Sequence, residues 1–268
     1  MYPLIELGPL RLSSGGLLLL LAVLVAQWQL VRTARIRGGA ALAEQVERCV
    51  YPTLLGAVIG ARLWYGAFNW SLYSQTPSLF VALRVGEFAW PGALLGGALA
   101  GAIWCRWRRA DPFELADCAA LALPPAQALA SIGLLLSGEA FGVPTDLPWG
   151  IALFGATRHP TQLYLALAAL LSFGVLWHVA RHAPQRGALT AAYLGLQGVS
   201  LLVVEALRAD SLLLPAGVRA GQVFGLALVL IALLWMRRQP ATAALPDREL
   251  EAEQHELPHN GEVAIRRT

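Results

Sequence analysis

The 268-residue chain has no lysine, few acidic residues and almost no cysteine. All 20 basic residues are arginine, and charged residues make up 14% of the chain, against about 25% in a soluble domain. The three cysteines, Cys49, Cys105 and Cys118, are too few and too scattered for a metal site or a disulfide framework. A net charge of +3 is too small to indicate a nucleic-acid partner. These shortages exclude a disulfide scaffold and a soluble enzyme.

Long apolar runs take the place of the missing charges. Hydrophobic residues account for 57% of the chain, and the mean hydropathy is +0.56. A membrane-spanning helix needs about 20 mostly apolar residues, and the runs lack the alternation of barrel strands. We therefore predict an all-α integral membrane protein with seven transmembrane helices. The predicted spans are residues 12–31, 49–70, 88–105, 118–138, 160–180, 187–204 and 220–236, and the apolar stretch 147–157 is predicted to be part of a loop.

The arginines between these spans are distributed unevenly between the two sides. Eleven fall in the first, third and fifth connections and at the start of the tail, and five fall on the other side. Because Lys and Arg accumulate in cytoplasmic loops, we predict that the N-terminus lies outside and the C-terminus in the cytoplasm.

The composition changes abruptly after Arg238. Residues 1–238 form the predicted membrane domain. Residues 239–268 contain six acidic residues and almost no large apolar ones. A segment of this kind cannot bury enough apolar surface to fold, so we predict a disordered acidic cytoplasmic tail.

Three features inside the predicted spans are unusual for lipid-embedded helices. Arg62 is an ionisable residue within an apolar run, which indicates either a functional contact with a lipid phosphate or a side chain that snorkels or pairs with a neighbouring helix. Glycines recur at four-residue spacing, which favours close helix packing; the pairs are Gly56/Gly60, Gly92/Gly96 and Gly97/Gly101. Pro124 and Pro125 predict a kink or an interruption in the fourth span, beside a cavity.

Four stretches of the chain resemble the bacterial prolipoprotein diacylglyceryl transferase family. Residues 60–69, GARLWYGAFN, are similar to the family's G-A-R-L-x-Y-x-x-F, and residues 137–150, SGEAFGVPTDLPWG, to its N-G-E-x-x-G-x-P-T-x-x-P-W-G. Residues 158–164, RHPTQLY, are similar to R-H-P-T-Q-L-Y-E, and residues 204–208, VEALR, to V-E-F-x-R. The order and spacing of the four stretches also agree with the family.

The resemblance implies a multi-pass protein of the bacterial inner (plasma) membrane that works in lipoprotein biosynthesis. The family moves the diacylglyceryl group of phosphatidylglycerol, a phospholipid, to the lipobox cysteine of a preprolipoprotein, and needs no cofactor or metal. The chemistry requires a base that helps to form the thiolate and cations that stabilise the departing phosphate. The expected partners are therefore phosphatidylglycerol, a preprolipoprotein and the membrane, with no nucleic acid.

The chain departs from the family at several functional positions. Trp90 or Pro91 stands where the family has a histidine, and Ser131 and Leu134 replace an arginine and an asparagine. Further replacements fall on the family's tyrosines, its second arginine and a glutamate; they lie at Ser14–Gly15, Leu165, Gln197 and Ser200 or Leu201. These losses predict a transferase of reduced or altered activity. The alternative is a catalytically inactive relative that binds a phospholipid or a partner protein.

Six polar residues remain as candidates for the site. The resemblance and the chemistry of phosphate recognition suggest that Arg62, Arg158, Glu205 and Arg208 contact a phospholipid, because a guanidinium can bind phosphate through two N–H groups. The catalytic residues are left open, with His159 and Glu139 as weak candidates. A histidine can act as a base near neutral pH, but the place of His159 beside Pro160 also fits a residue that fixes the loop.

Overall fold

The computed structural model describes residues 4–7, 10–75, 78, 89–182, 185–214 and 217–238. Helices make up most of this part of the chain. The elements in chain order are β1 (Leu4–Leu7), β2 (Leu10–Ser13), α1 (Ser14–Phe68), α2 (Trp70–Tyr73), α3 (Trp90–Arg108), α4 (Pro112–Ser137), β3 (Ile151–Leu153), β4 (Ala156–Arg158), α5 (Thr161–Ala180), α6 (Ala188–Leu207) and α7 (Ala220–Arg238). The tail at 239–268 lies outside the described residues.

Among the described residues, five helices are long and apolar enough to cross a membrane: α1, α4, α5, α6 and α7. This finding confirms the prediction of a helical membrane protein. The all-α class needs one addition, because β1 pairs with β2 and β3 pairs with β4 in two antiparallel hairpins. The second hairpin covers most of the stretch 147–157 that we predicted to be part of a loop, and ends one residue beyond it at Arg158.

The first two predicted spans belong to one helical element, α1. The connection expected at 32–48 is itself helical apart from Gly38 and Gly39. Hydropathy marks only the apolar part of a helix, and the Ala, Leu, Arg and Glu residues of this connection also favour helix. A Cβ built on Gly38 would lie 2.8 Å from Cβ of Leu42, whereas side chains four apart on a helix are about 5–6 Å apart. The chain therefore bends sharply between a first half, 14–37, and a second half, 40–68.

Glycines bring the second half of α1 into direct backbone contact with α3. A Cβ on Gly60 would lie 2.8 Å from Cα of Gly96 and would collide with the carbonyl oxygen of Gly92. A Cβ on Gly56 would lie 2.6 Å from the carbonyl oxygen of Gly96. The predicted packing role of the Gly56/Gly60 and Gly92/Gly96 pairs is thus confirmed.

Substitution of Gly60 by alanine should push α1 and α3 apart. Because the atoms that the new methyl group would meet are backbone atoms, they cannot rotate away, and overpacking of this kind costs about 1–3 kcal/mol. We expect Gly60→Ala to lower the unfolding midpoint in detergent. The matched control is Gly174→Ala on α5, where a Cβ would meet nothing within 4 Å. Equal midpoints for the two variants would contradict the close contact.

The two prolines do not interrupt α4. The helix continues from Pro112 to Ser137 through Pro124 and Pro125, so of the two predicted alternatives, a kink or an interruption, the interruption is wrong. Prolines lack an N–H donor, which leaves the carbonyl groups of Ala120 and Leu121 without their usual helical partners. Both residues are buried in a cluster with Leu176 of α5 and Leu189 of α6. Neighbouring helices thus shield this part of α4 from lipid, as freed backbone groups at membrane depth require.

One end of the bundle is covered by a small network of extended backbone, which we call the capped end. The segment 141–145 lies between 207–209 and 157–159, because Val143 N–H donates to Leu207 O at 2.8 Å and His159 N–H donates to Val143 O at 3.1 Å. The β3–β4 turn has positive φ at Phe154 (51°) and Gly155 (75°), the two-residue turn that matches strand twist. The end of α4, the start of α5 and the end of α6 meet at this network.

Candidate functional site

Arg208 forms two ion pairs at the capped end. Its Nη1 donates to Glu205 Oε1 at 2.6 Å, and its Nε donates to Asp210 Oδ1 at 3.0 Å. Ser211 Oγ donates to Glu205 Oε2, and Arg219 Nη1 donates to the carbonyl oxygen of Arg208. We call Glu205, Arg208, Asp210, Ser211 and Arg219 the cap cluster.

The cap cluster is held by local backbone features. Glu205 is 5% exposed, and a Cβ on Gly221 would lie 2.7 Å from its Oε1, so any larger residue at this position would displace the carboxylate. Ala140 N–H donates to Asp210 Oδ2 at 2.8 Å. Burial lowers the pKa of Arg208, but the hydrogen bond to Asp210 and the charges of Glu205 and Asp210 outweigh it, so the pKa is raised above the ordinary value. Arg208 is therefore a permanent cation held between two carboxylates.

Arg158, another predicted phospholipid ligand, lies next to this cluster. Its Nε donates to Leu153 O at 3.1 Å and its Nη1 donates to Gly142 O at 3.2 Å, while the guanidinium lies 5.2 Å from the ring centroid of Phe141. Gly142 also pairs with Arg208 through a β-bridge. The structure thus brings Arg158, Glu205 and Arg208 together. These internal bonds occupy two of the five N–H donors of each guanidinium, which leaves donor capacity for a phosphate.

His159 is held against an aromatic pair. Trp149 Nε1 donates to Tyr164 Oη at 2.9 Å, and Tyr164 Oη lies 3.3 Å from His159 Nδ1. If Tyr164 donates its proton to Nδ1, the neutral ring carries its own proton on Nε2. The basic nitrogen then faces Tyr164, so the geometry favours the loop-fixing role over the role of base.

Glu139, the other weak catalytic candidate, follows the end of α4. Its side chain is exposed, and its carbonyl oxygen accepts from Gln162 Nε2 at 2.7 Å. Thr161 Oγ1 donates to the next carbonyl, that of Ala140. These backbone contacts join the ends of α4 and α5.

Arg62 lies in a different environment from the other candidates. It is 6% exposed, and its guanidinium lies 5.5 Å from the ring centroid of Tyr73 in α2. A cation over an aromatic face is stabilised when water is excluded. The sequence interpretation identified Arg62 but not Tyr73 as its partner. None of the contacts described above joins Arg62 to the cap cluster.

Two of the positions where the chain departs from the family pattern, Ser131 and Gln197, contact only uncharged groups in the hydrogen bonds described here. Ser131 is 6% exposed, and its hydroxyl donates to the carbonyl oxygen of Gln127 in its own helix at 2.8 Å. Gln127 Nε2 donates to Tyr193 Oη at 2.8 Å and lies 3.4 Å from Gln197 Oε1. Gln127 and Tyr193 were not among the sequence candidates, although each is a polar residue within an apolar run.

A buried carboxylate at the other end of α4 also escaped the sequence interpretation. Asp117 is fully buried and accepts from Gly187 N (2.8 Å), Thr190 N (2.9 Å) and Thr190 Oγ1 (2.7 Å), with Arg37 Nη2 at 3.9 Å. It caps the start of α6, because Gly187 at the N-cap has no side chain that could do so. Asp117 follows the charged residues 106–114 in the sequence. An acidic residue in such a stretch is ordinarily expected to be solvated, so the sequence gives no sign of its burial.

Comparison with known proteins identifies the family. A family model described as prolipoprotein diacylglyceryl transferase matches residues 3–238. The chain belongs to the prolipoprotein diacylglyceryl transferase family. The resemblance stated from the four motifs is thereby confirmed.

Curated relatives from distant bacteria share this family. The chain is similar to the phosphatidylglycerol–prolipoprotein diacylglyceryl transferase of Symbiobacterium thermophilum, with 32% identity over 88% of this chain and 93% of that protein. The protein of the same name from a Nostoc species is 32% identical over 91% of this chain and 92% of its own length. The one from Clostridioides difficile is 37% identical over 63% of this chain and 68% of its own length. The first two of these relatives are therefore matched over more than nine-tenths of their own length.

Proposed function

We propose that this protein acts in the reaction for which its relatives are named, with reduced or altered activity. In that reaction, the diacylglyceryl group of phosphatidylglycerol passes to the lipobox cysteine of a preprolipoprotein. The supporting observation is the combination of the family match over residues 3–238 with a neutral interior around Ser131. The family match indicates the substrates. The uncharged Ser131 means that a cation that would stabilise the departing phosphate is missing at this position.

A catalytically inactive relative that binds phospholipid or a partner protein is the second candidate. The observation in its favour is that Ser131, Leu134 and either Ser200 or Leu201 stand where the family pattern has an arginine, an asparagine and a second arginine. A neutral hydroxyl that already bonds to Gln127 O cannot replace a guanidinium. Binding would then use residues elsewhere in the chain, since the family match extends over residues 3–238.

We infer that phospholipid binding involves Arg62, Arg158, Glu205 and Arg208. Arg158 and Arg208 share the capped end and have unused guanidinium donors, and Glu205 orients Arg208. Arg62 is a buried cation in an apolar stretch of α1, and a buried cation requires a compensating partner. The ring of Tyr73 lies 5.5 Å from its guanidinium, and a guanidinium can also bind a lipid phosphate.

Removal of Arg62 or Arg208 should weaken the retention of phosphatidylglycerol. We expect Arg62→Ala and Arg208→Ala to co-purify with several-fold less phosphatidylglycerol than the unmodified chain, as measured by mass spectrometry of the detergent-purified protein. Arg62→Lys, which keeps a charge, should retain an intermediate amount. The control is Arg48→Ala, because Arg48 is exposed and pairs with Glu44 of the same helix. Unchanged lipid content in both alanine variants would leave these arginines with a structural role.

We propose that the protein crosses the bacterial inner membrane seven times, with residues 1–238 as the membrane domain and 239–268 as a cytoplasmic tail. The two halves of α1 would cross separately, and α3, α4, α5, α6 and α7 would each cross once. The sharp bend at Gly38 and the length of each half support two crossings by α1. The eleven-to-five distribution of arginines supports an outside N-terminus, which places the capped end outside.

Reporter fusions test this topology. A fusion after Arg238 should be active only with a reporter that folds in the cytoplasm, and a fusion after Gly150 only with a periplasmic reporter. Activity of a periplasmic reporter after Arg238 would contradict the proposed orientation.

A further inference from the structure

Three uncharged polar residues meet between α4 and α6, and we call Gln127, Tyr193 and Gln197 the amide cluster. Tyr193 and Gln197 are one turn apart on α6 and face Gln127 of α4. Gln127 lies ten residues before the end of α4 at Ser137, which corresponds to about 15 Å along the helix. In a membrane-spanning α4, the amide cluster lies near mid-membrane.

One atom of this cluster has an unmet hydrogen bond. Within the described residues, Gln127 Oε1 is buried and has no hydrogen-bond partner. Exchange of the amide oxygen and nitrogen would leave the nitrogen unpartnered instead, so one polar atom is unmatched in either orientation. A buried polar group left unpaired costs about 1–3 kcal/mol. The side chains of Gln127, Tyr193 and Gln197 are nevertheless only partly buried, so the cluster is not sealed by protein.

The residues around the cluster favour an uncharged ligand. The positions one helical turn away are Leu123 and Ser131 on α4 and Leu189 and Leu201 on α6, and none of them carries a charge. A phosphate placed here would lose its hydration without gaining a cation, which is strongly unfavourable. An alcohol hydroxyl both donates and accepts, so it can satisfy Gln127 in either amide orientation and can bond Tyr193 or Gln197 in the same place.

We propose that the amide cluster binds the uncharged hydroxyl of a membrane lipid. Two lipids present this chemistry: phosphatidylglycerol through its glycerol headgroup, and diacylglycerol through its free alcohol. The inference deepens the proposed function, because it names the chemical group that this chain recognises where charged side chains are missing. Phosphate binding by Arg62 and the cap cluster is a separate matter, so the two proposals can fail independently.

Discrimination between lipids tests the proposal. The purified full chain is titrated with phosphatidylglycerol, phosphatidic acid or diacylglycerol of matched acyl chains, and the bound fraction is measured by native mass spectrometry. Phosphatidic acid has the phosphate without the alcohol. Loss of one hydrogen bond corresponds to about a 3- to 10-fold change in affinity, so the unmodified chain should prefer phosphatidylglycerol to phosphatidic acid by about that factor.

Two variants remove the recognition of the hydroxyl. In Gln127→Leu, the preference for phosphatidylglycerol should disappear while binding of phosphatidic acid is unchanged. Tyr193→Phe deletes a single hydroxyl and keeps the ring, so it should reduce the preference even if Gln127→Leu does not fold. The matched control is Gln29→Leu, because Gln29 is a buried glutamine of α1 outside the cluster, and its preference should stay unchanged.

The outcomes separate the two lipid sources and the two proposals. If diacylglycerol binding also falls in Gln127→Leu, diacylglycerol is a ligand of the cluster; if only phosphatidylglycerol binding falls, the headgroup is the ligand. Equal lipid preferences in the unmodified chain, Gln127→Leu and Tyr193→Phe would overturn the assignment. Failure of the proposed phosphate binding has a different signature, namely unchanged binding of phosphatidic acid in Arg62→Ala and Arg208→Ala.

Discussion

The purified protein should transfer diacylglyceryl groups at least about 100-fold more slowly than a relative with the full set of family residues. Loss of a positioned proton-transfer group reduces a rate by about 10²–10⁴-fold, and loss of one charge-stabilising donor by about 10²–10³-fold. Such losses are not additive, so the smaller factor is the conservative expectation. The assay follows a labelled diacylglyceryl group from phosphatidylglycerol to a lipobox peptide.

His159 provides an internal check on this rate. The contact of its Nδ1 with Tyr164 predicts that His159→Ala destabilises the capped end and leaves residual turnover per folded molecule unchanged. The control is Tyr164→Phe, which removes the same hydrogen bond and keeps the imidazole. Turnover that is high in the unmodified chain and lost only in His159→Ala would contradict the expectation and identify His159 as a replacement base.

Substitution of Asp117 should cause the largest loss of stability. Asp117→Ala leaves the N–H groups of Gly187 and Thr190 without their acceptor and removes the carboxylate beside Arg37. Unpaired buried donors and a broken buried ion pair together cost about 3–5 kcal/mol. We expect a marked fall in the unfolding midpoint of the protein in detergent, with tryptophan fluorescence as the measurement.

Two further variants define the source of that loss. Thr190→Val removes one of the three hydrogen bonds to Asp117 and should cost about 1 kcal/mol. Glu44→Ala breaks the exposed pair with Arg48 and should change stability by less than about 1 kcal/mol. If Asp117→Ala were no more harmful than Glu44→Ala, the cap on α6 would not contribute to stability.

Hydropathy predicted the helices correctly where the ends of the helix coincide with the ends of an apolar run. Predicted spans 160–180 and 220–236 fall on α5 and α7 with differences of two residues or fewer at each end. The method failed at α1, because the helix continues through the arginines at 32–48 that mark the end of the apolar core. It also missed β3–β4, since a pair of three-residue strands leaves no periodic pattern.

The candidate site was predictable as a set of residues and not as a set of contacts. Arg158 and Arg208 were identified from the sequence, but their neighbourhood depends on the bridge between Gly142 and Arg208, which are 66 positions apart. Tyr73 beside Arg62 and the neutral contacts of Gln127 arise from tertiary packing. Local patterns contain no information on such partners.

Complementation tests the central claim most directly. A strain depleted of its own prolipoprotein diacylglyceryl transferase is given either this chain or the Symbiobacterium thermophilum relative, with equal amounts of each protein verified in the membrane. We expect the relative to restore growth and lipoprotein maturation, and this chain to restore little or neither. Full rescue by this chain at the same level would contradict the account that its neutral interior reduces or alters the family's reaction.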